Sequence, residues 1–100
     1  MFPTIASFRG GGTEDVFDGQ NTYRARRTCP AQLWGSARRK LDLLDSAAAL
    51  SDLAALPGNR LEPLRGERSG QFSIRINQQY RICFVWTESG PDDVEITDYH

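Results

Sequence analysis

Three runs in the second half of the chain alternate apolar and other residues with a period of two, the mark of half-buried strands. Phe72, Ile74 and Ile76 fall on one face of the first run. Tyr80, Ile82, Phe84 and Trp86 share one face of the second, and Val94 and Ile96 one face of the third. Asn77-Gln78-Gln79 separates the first two runs and suits a hairpin turn, though without the favoured Asn-Gly pair. Ser89-Gly90-Pro91 breaks the chain before the third. The pattern predicts a three-stranded antiparallel meander.

Earlier in the chain the spacing changes to three and four. Leu33, Trp34, Ala37, Leu41 and Leu44 form one apolar stripe, suited to a helix packed on the sheet. Thr28-Cys29-Pro30 opens that helix, with Pro30 in its first turn. Gly35 weakens it by roughly 1 kcal/mol relative to alanine. Ser46 to Leu56 reads as a turn and a second short helix with Ser51 as N-cap, ended by Pro57-Gly58. Near the N-terminus, Thr4 to Phe8 is a short extended stretch, a candidate edge strand of the same sheet. Thr13 can N-cap a short helix through Phe17, with Glu14 and Asp15 in its first turn, and Gly19-Gln20-Asn21 stops it. Tyr23 to Arg27 is basic and fits a loop or a short helix. The order of elements is α+β: N-terminal helices packed on a small antiparallel β-sheet, one domain over residues 1–100.

Composition narrows the function classes. Apolar and charged fractions are 39% and 25%, ordinary for a globular chain. No run is long enough for a transmembrane helix, and Met1 does not open a signal peptide. Cys29 and Cys83 make no disulfide framework, so a reduced, cytoplasmic setting is the default. With His100 they also lack the close ligand pairs of a zinc site, and no metal or other cofactor is expected.

The net charge of −1 argues at first against a nucleic-acid partner. Its distribution argues the other way. Five arginines (Arg60, Arg65, Arg68, Arg75 and Arg81) face only Glu62 and Glu67 between positions 60 and 81. After that come five acids and no lysine or arginine. A near-neutral total therefore hides a cationic region. On the non-apolar face of the meander lie Ser73 and Arg75 from the first run, and Arg81, Cys83 and Val85 from the second. An arginine amid an apolar strand is either solvated or placed for an anion.

Glu62, Arg65, Arg81, Asp98, Tyr99 and His100 are the candidate site residues. Arginines near a phosphodiester can hold its oxygens with charge-assisted bonds and stabilise a pentacoordinate transition state. A histidine ordinarily titrates near ~6.5 and can pass a proton near neutral pH. An ordinary carboxylate is ionised there and can act as a base. Together these groups suffice for metal-free RNA cleavage through the ribose 2′-hydroxyl. Tyr99 could stack on a base or orient the phosphate. Plainer alternatives stand beside each role. Glu62 could serve only to pair with Arg60 or Arg65, Asp98 to cap the strand or pair with Arg81, and Tyr99 to pack on the core. A terminal histidine is often frayed. Arg38, Arg39 and Lys40, off the apolar stripe, are either a solvated flank or a contact for ribosomal RNA or an acidic partner.

The segments Gly58 to Gly66, Gln71 to Trp86 and Asp93 to His100 closely resemble the HigB toxins of the RelE/ParE superfamily of type II toxin–antitoxin systems. Ile5 to Arg9, Gly12 to Phe17 and Ala37 to Leu41 resemble the same family, so the likeness spans nearly the whole chain. It implies a RelE-like microbial RNase-type fold and a ribosome-dependent mRNA endoribonuclease that cuts in the 30S A site without a metal. The family's basic residue after its Leu-x-x-Leu element matches Arg65, its strand arginine Arg81, and its terminal triplet Asp98, Tyr99 and His100. The implied site has Arg65 and Arg81 holding the phosphate, Glu62 as the candidate base and His100 as the acid. Some members carry histidine at the position of Glu62, which bears on the identity of the base, and lysine at that of Arg65, which alters the phosphate geometry. Arg60, Arg68 and Arg75, with Arg38, Arg39 and Lys40, would contact RNA or the ribosome. The implied partner is a HigA-like helix-turn-helix antitoxin, through which alone the chain would reach operator DNA. Two rivals on related folds are a ParE-like gyrase inhibitor and a non-catalytic antitoxin-binding co-repressor.

Overall fold

The computed structural model describes residues 4–98. Four short helices precede four strands: α1 (Gly11–Phe17), α2 (Tyr23–Thr28), α3 (Trp34–Ser46), α4 (Leu50–Ala54), β1 (Glu62–Pro63), β2 (Phe72–Arg75), β3 (Tyr80–Thr87) and β4 (Gly90–Asp98). The strands form an antiparallel sheet in the order β1-β2-β3-β4. The predicted meander is its larger part. The sheet gains β1, a two-residue strand with no alternation long enough to be read from sequence. The Thr4–Phe8 stretch runs beside β4 as a single parallel bridge, Phe8 to Val94, rather than as a full strand.

Register confirms the apolar face. Phe72 lies opposite Phe84, Ile74 opposite Ile82, and Ile82 opposite Ile96. The helices cover this face. Ala37, Leu41 and Leu44 of α3 have no exposed surface and join Ile74, Ile82, Phe84 and Val94 in the core. Leu33 and Trp34 are half-buried at its margin, and the Trp34 indole donates to the Cys29 carbonyl at 3.1 Å. Between Cys83 and Val85 the β4 strand carries one extra residue, and Asp93 takes a left-handed φ of 52° there.

Helix starts differ from expectation in three places. Thr13 lies inside α1, whose N-cap is Gly10, and its hydroxyl accepts from the Ile96 amide at 3.0 Å. A buried strand amide outcompetes the cap. Pro30 precedes a 3-10 turn, Ala31–Leu33, and the α-helix begins only at Trp34. The start of α4 is closed by Asp52, which accepts from the Ala48 and Ala49 amides, while Ser51 lies within the helix. The basic Tyr23–Thr28 segment is helical because Thr22 caps it, accepting from the Ala25 amide. Gly12 permits the close crossing of α1 and α2, since a Cβ there would lie 1.9 Å from Thr28 Oγ1 and 2.7 Å from the Arg24 carbonyl. Among the described residues no helix is long and apolar enough to cross a membrane.

Candidate active site

The second face of the sheet carries the chemistry. Cross-strand pairing sets Glu62 opposite Ser73 and Ser73 opposite Cys83, and next to that row sets Arg75 opposite Arg81 and Arg81 opposite Thr97. Directly paired residues point to the same side of a sheet. Ser73 and Cys83 have no exposed surface and Arg81 is only 9% exposed. The face at Arg81 is therefore covered, and the solvated alternative for it is excluded.

Polar contacts hold Arg81 in place. Its Nε donates to Ser73 Oγ at 2.7 Å, and its Nη2 donates to the Arg60 carbonyl at 2.6 Å. Glu62 Oε1 lies 3.7 Å from the same Nη2, an ion pair at longer range. A buried guanidinium needs such partners, because an unpaired buried charge is costly. The Arg60 carbonyl reaches Arg81 because Arg60 adopts a left-handed conformation, φ 45° and ψ 52°, just after the 3-10 turn Pro57–Asn59.

Arg60, Glu62, Arg75, Asn77, Gln78 and Arg81 line an open cleft of about 240 Å³. Arg75 is fixed at its mouth by donation from Nε to the Asn77 carbonyl at 3.1 Å. Asn77 in turn shapes the hairpin, its Oδ1 accepting from the Gln79 and Tyr80 amides. An asparagine closing its own turn replaces the missing Asn-Gly signal. Three arginines and one carboxylate thus converge on one cleft, an arrangement fit for a phosphodiester.

The other candidates divide. Arg65 is exposed on the loop between β1 and β2 and does not line this cleft. Arg68 does not line it either; it bridges Gln71 at 3.1 Å and Glu95 at 3.0 Å, tying that loop to β4. Asp98 shares the strand parity of Ile96, opposite Tyr80, so it faces the helix side. There it accepts from Gln79 and borders a second cavity with Arg9 and Arg27. Tyr99 and His100 lie outside the described residues.

The basic flank of α3 is largely engaged within the fold. Arg38 donates to the Val16 carbonyl, Arg39 to Ser36 Oγ and Lys40 to Asn59 Oδ1. Desolvation lowers the Lys40 pKa. Sequence reasoning passed over Ser73, Asn77 and Gln78 as site residues. The signal for Ser73 was its parity, which puts it on the face of Arg81.

Comparisons with known proteins agree with this architecture. A protein from Staphylococcus aureus, solved as a YoeB–YefM complex, superposes with a TM-score of 0.61 at 18% identity, covering 100% of this chain and 99% of that one. At that identity the likeness concerns the fold alone. A toxin named HigB-1 from Vibrio cholerae is 45% identical over 65 residues, 65% of this chain and 68% of that protein. An endoribonuclease named HigB from Proteus vulgaris is 29% identical over 100 residues, 96% of this chain and 99% of that protein. The family described as the RelE-like toxin of type II toxin–antitoxin system HigB matches residues 6–100. The chain belongs to this HigB-like toxin family.

Proposed function

We propose that this chain is a ribosome-dependent mRNA endoribonuclease that cuts mRNA in the A site and is neutralised by a HigA-like antitoxin. The observation that carries this reading is the convergence of Arg60, Arg75 and Arg81 with Glu62 around one open cleft. The relative named an endoribonuclease, similar over nearly the whole chain, supports the reaction class.

The chemistry follows from those groups. The phosphodiester enters against Arg81 and Arg75. Glu62 takes the proton of the ribose 2′-hydroxyl, and the 2′-oxygen forms its bond to phosphorus. The bond from phosphorus to the 5′-oxygen breaks, and that oxygen takes a proton from His100. The products are a 2′,3′-cyclic phosphate and a 5′-hydroxyl. The arginines supply the positive charge that stabilises the pentacoordinate intermediate, the part a metal ion would otherwise play.

Asp98 pairs across from Tyr80, the neighbour of Arg81, and Tyr99 and His100 follow it in the sequence. In this reading Asp98 fixes the exit of β4 through Gln79, Tyr99 stacks or orients, and His100 is the acid. Arg65 and Arg39, exposed outside the cleft, contact ribosomal RNA. The 100 residues act as one cytoplasmic domain, and DNA is reached only through the antitoxin.

Cleavage of mRNA on a programmed ribosome, with naked mRNA as control, tests the reading. The wild type is expected to cut only on ribosomes. Arg81→Ala and a variant lacking His100 are expected to lose cutting while keeping the wild-type fold. A well-folded wild type that does not cut sinks the proposal, and DNA breaks in its place would point to gyrase inhibition.

A further inference from the structure

Arg81 is met from β2 by a serine with no exposed surface. A hydroxyl at a buried strand position adds nothing to packing and costs free energy unless it is bonded. At Ser73 the hydroxyl takes the Nε–H of Arg81 at 2.7 Å. The Arg60 carbonyl takes the adjacent Nη2 at 2.6 Å. Nε and Nη2 form one fork of the planar guanidinium, and two contacts on one fork fix its plane.

The carbonyl side of this clamp is built with equal care. Asn59 has no exposed surface, donates from Nδ2 to the Leu53 carbonyl at 3.1 Å, and accepts from Lys40. It anchors the Pro57–Asn59 turn to α3 and α4. The next residue, Arg60, then turns left-handed and presents its carbonyl to Arg81.

We propose that Ser73 is the positioning residue of Arg81: its hydroxyl, with the Arg60 carbonyl, fixes the guanidinium plane in the cleft before a phosphate arrives. This rests on the reading of Arg81 as a phosphate-holding group. An arginine oriented in advance does not have to reorganise as charge develops in the transition state. The role separates chemistry from binding, because the exposed arginines outside the cleft still dock the protein.

Single-turnover cleavage on programmed ribosomes compares the wild type with Ser73→Ala, Ser73→Thr and Arg81→Ala. Ser73→Ala is expected to slow cleavage by roughly tenfold to a hundredfold, with ribosome affinity unchanged. Ser73→Thr, which keeps the hydroxyl, restores most of the rate. Ser73→Ala cutting at the wild-type rate while Arg81→Ala is inactive overturns the proposal. If Arg81→Ala also cuts normally, the reading of the cleft itself is what fails. Side-chain NMR supplies a readout independent of activity. The Arg81 Nε–H is expected to exchange slowly with water in the wild type and quickly in Ser73→Ala. Equally slow exchange in both proteins overturns the positioning role, whether or not ribosomes are cut.

Discussion

Ile82 and Arg81 are neighbours on β3 and point to opposite faces of one sheet. Ile82 has no exposed surface and Arg81 is 9% exposed, so both faces are buried at their centre. They are buried by different means. Ile82 packs under the helices among Ile74, Phe84, Leu41 and Leu44, where the driving force is removal of apolar surface from water. Arg81 is covered by a turn and a short edge strand, and it meets Ser73, the Arg60 carbonyl and Glu62 through polar contacts. The apolar face sets whether the chain folds. The polar face sets where one guanidinium sits.

Truncation on the apolar face gives the largest effect. Phe84→Ala is expected to cost about 3–5 kcal/mol, through lost burial plus a cavity beside Phe72. A denaturant midpoint measures it. A loss under about 1 kcal/mol would mean that the helices close over the gap, and that this face is not the rigid half.

The two cysteines report on the two faces from within. Cys29 belongs to the apolar core, and burial pushes its thiol up to about 11. Burial also pushes the Cys83 thiol up, opposed first by the Thr97 hydroxyl and then by the Arg68 and Arg81 guanidiniums, with the Glu95 carboxylate adding to the rise. As pH rises past the ordinary thiol range near ~8.5, the unfolded Cys29 loses its proton while the folded one keeps it. The unfolded state then binds fewer protons, so stability falls with rising pH up to about 11. The loss approaches about 3 kcal/mol over that window. Cys29→Ala should flatten it, measured by urea unfolding at stepped alkaline pH. Carbon-13 shifts of labelled cysteine should show Cys83 ionising before Cys29. The reverse order would mean that Thr97 and the two arginines do not offset the burial of Cys83.

Replacing Arg81 by methionine sharpens the contrast. The aliphatic stem is kept; of the groups it leaves, the Arg60 carbonyl belongs to a residue lining the open cleft, where water can replace the guanidinium, while Ser73 Oγ loses its partner at a buried position. Stability is expected to change by about 1–2 kcal/mol, with cleavage abolished. A loss as large as that of Phe84→Ala would give Arg81 a part in the core.

The difference between the faces also explains what the sequence revealed. Period-two alternation and the stripe Leu33, Trp34, Ala37, Leu41, Leu44 report burial against apolar neighbours, and that half of the fold was legible. The meander's apolar face followed from the same alternation, and the observed pairing of Phe72 with Phe84 and of Ile82 with Ile74 and Ile96 agrees with it. Polar partners are chosen in three dimensions, so their spacing leaves no local trace. Arg68 finds Glu95 and Lys40 finds Asn59 across 27 and 19 positions. Arg38 spends its donor on a backbone carbonyl of α1, and Thr13 accepts from β4 rather than capping its own helix. Asp98 was a readable case. It alternates with Ile96, and that parity alone places it on the face away from Arg81.

The rim of the polar face should matter least to stability. Arg68 and Glu95 meet at 3.0 Å with side chains 31% and 28% exposed. Water screens such a pair, and ordering two long side chains opposes it, so a double-mutant cycle should return about 0.2–1 kcal/mol that shrinks as salt is added. That small coupling would place the stability of the polar face in the clamp on Arg81 rather than in its surface ion pairs. A coupling well above 1 kcal/mol, unchanged by salt, would put the Arg68 loop inside the buried network. The Arg68→Ala variant would then be expected to disturb the cleft as well as the rim.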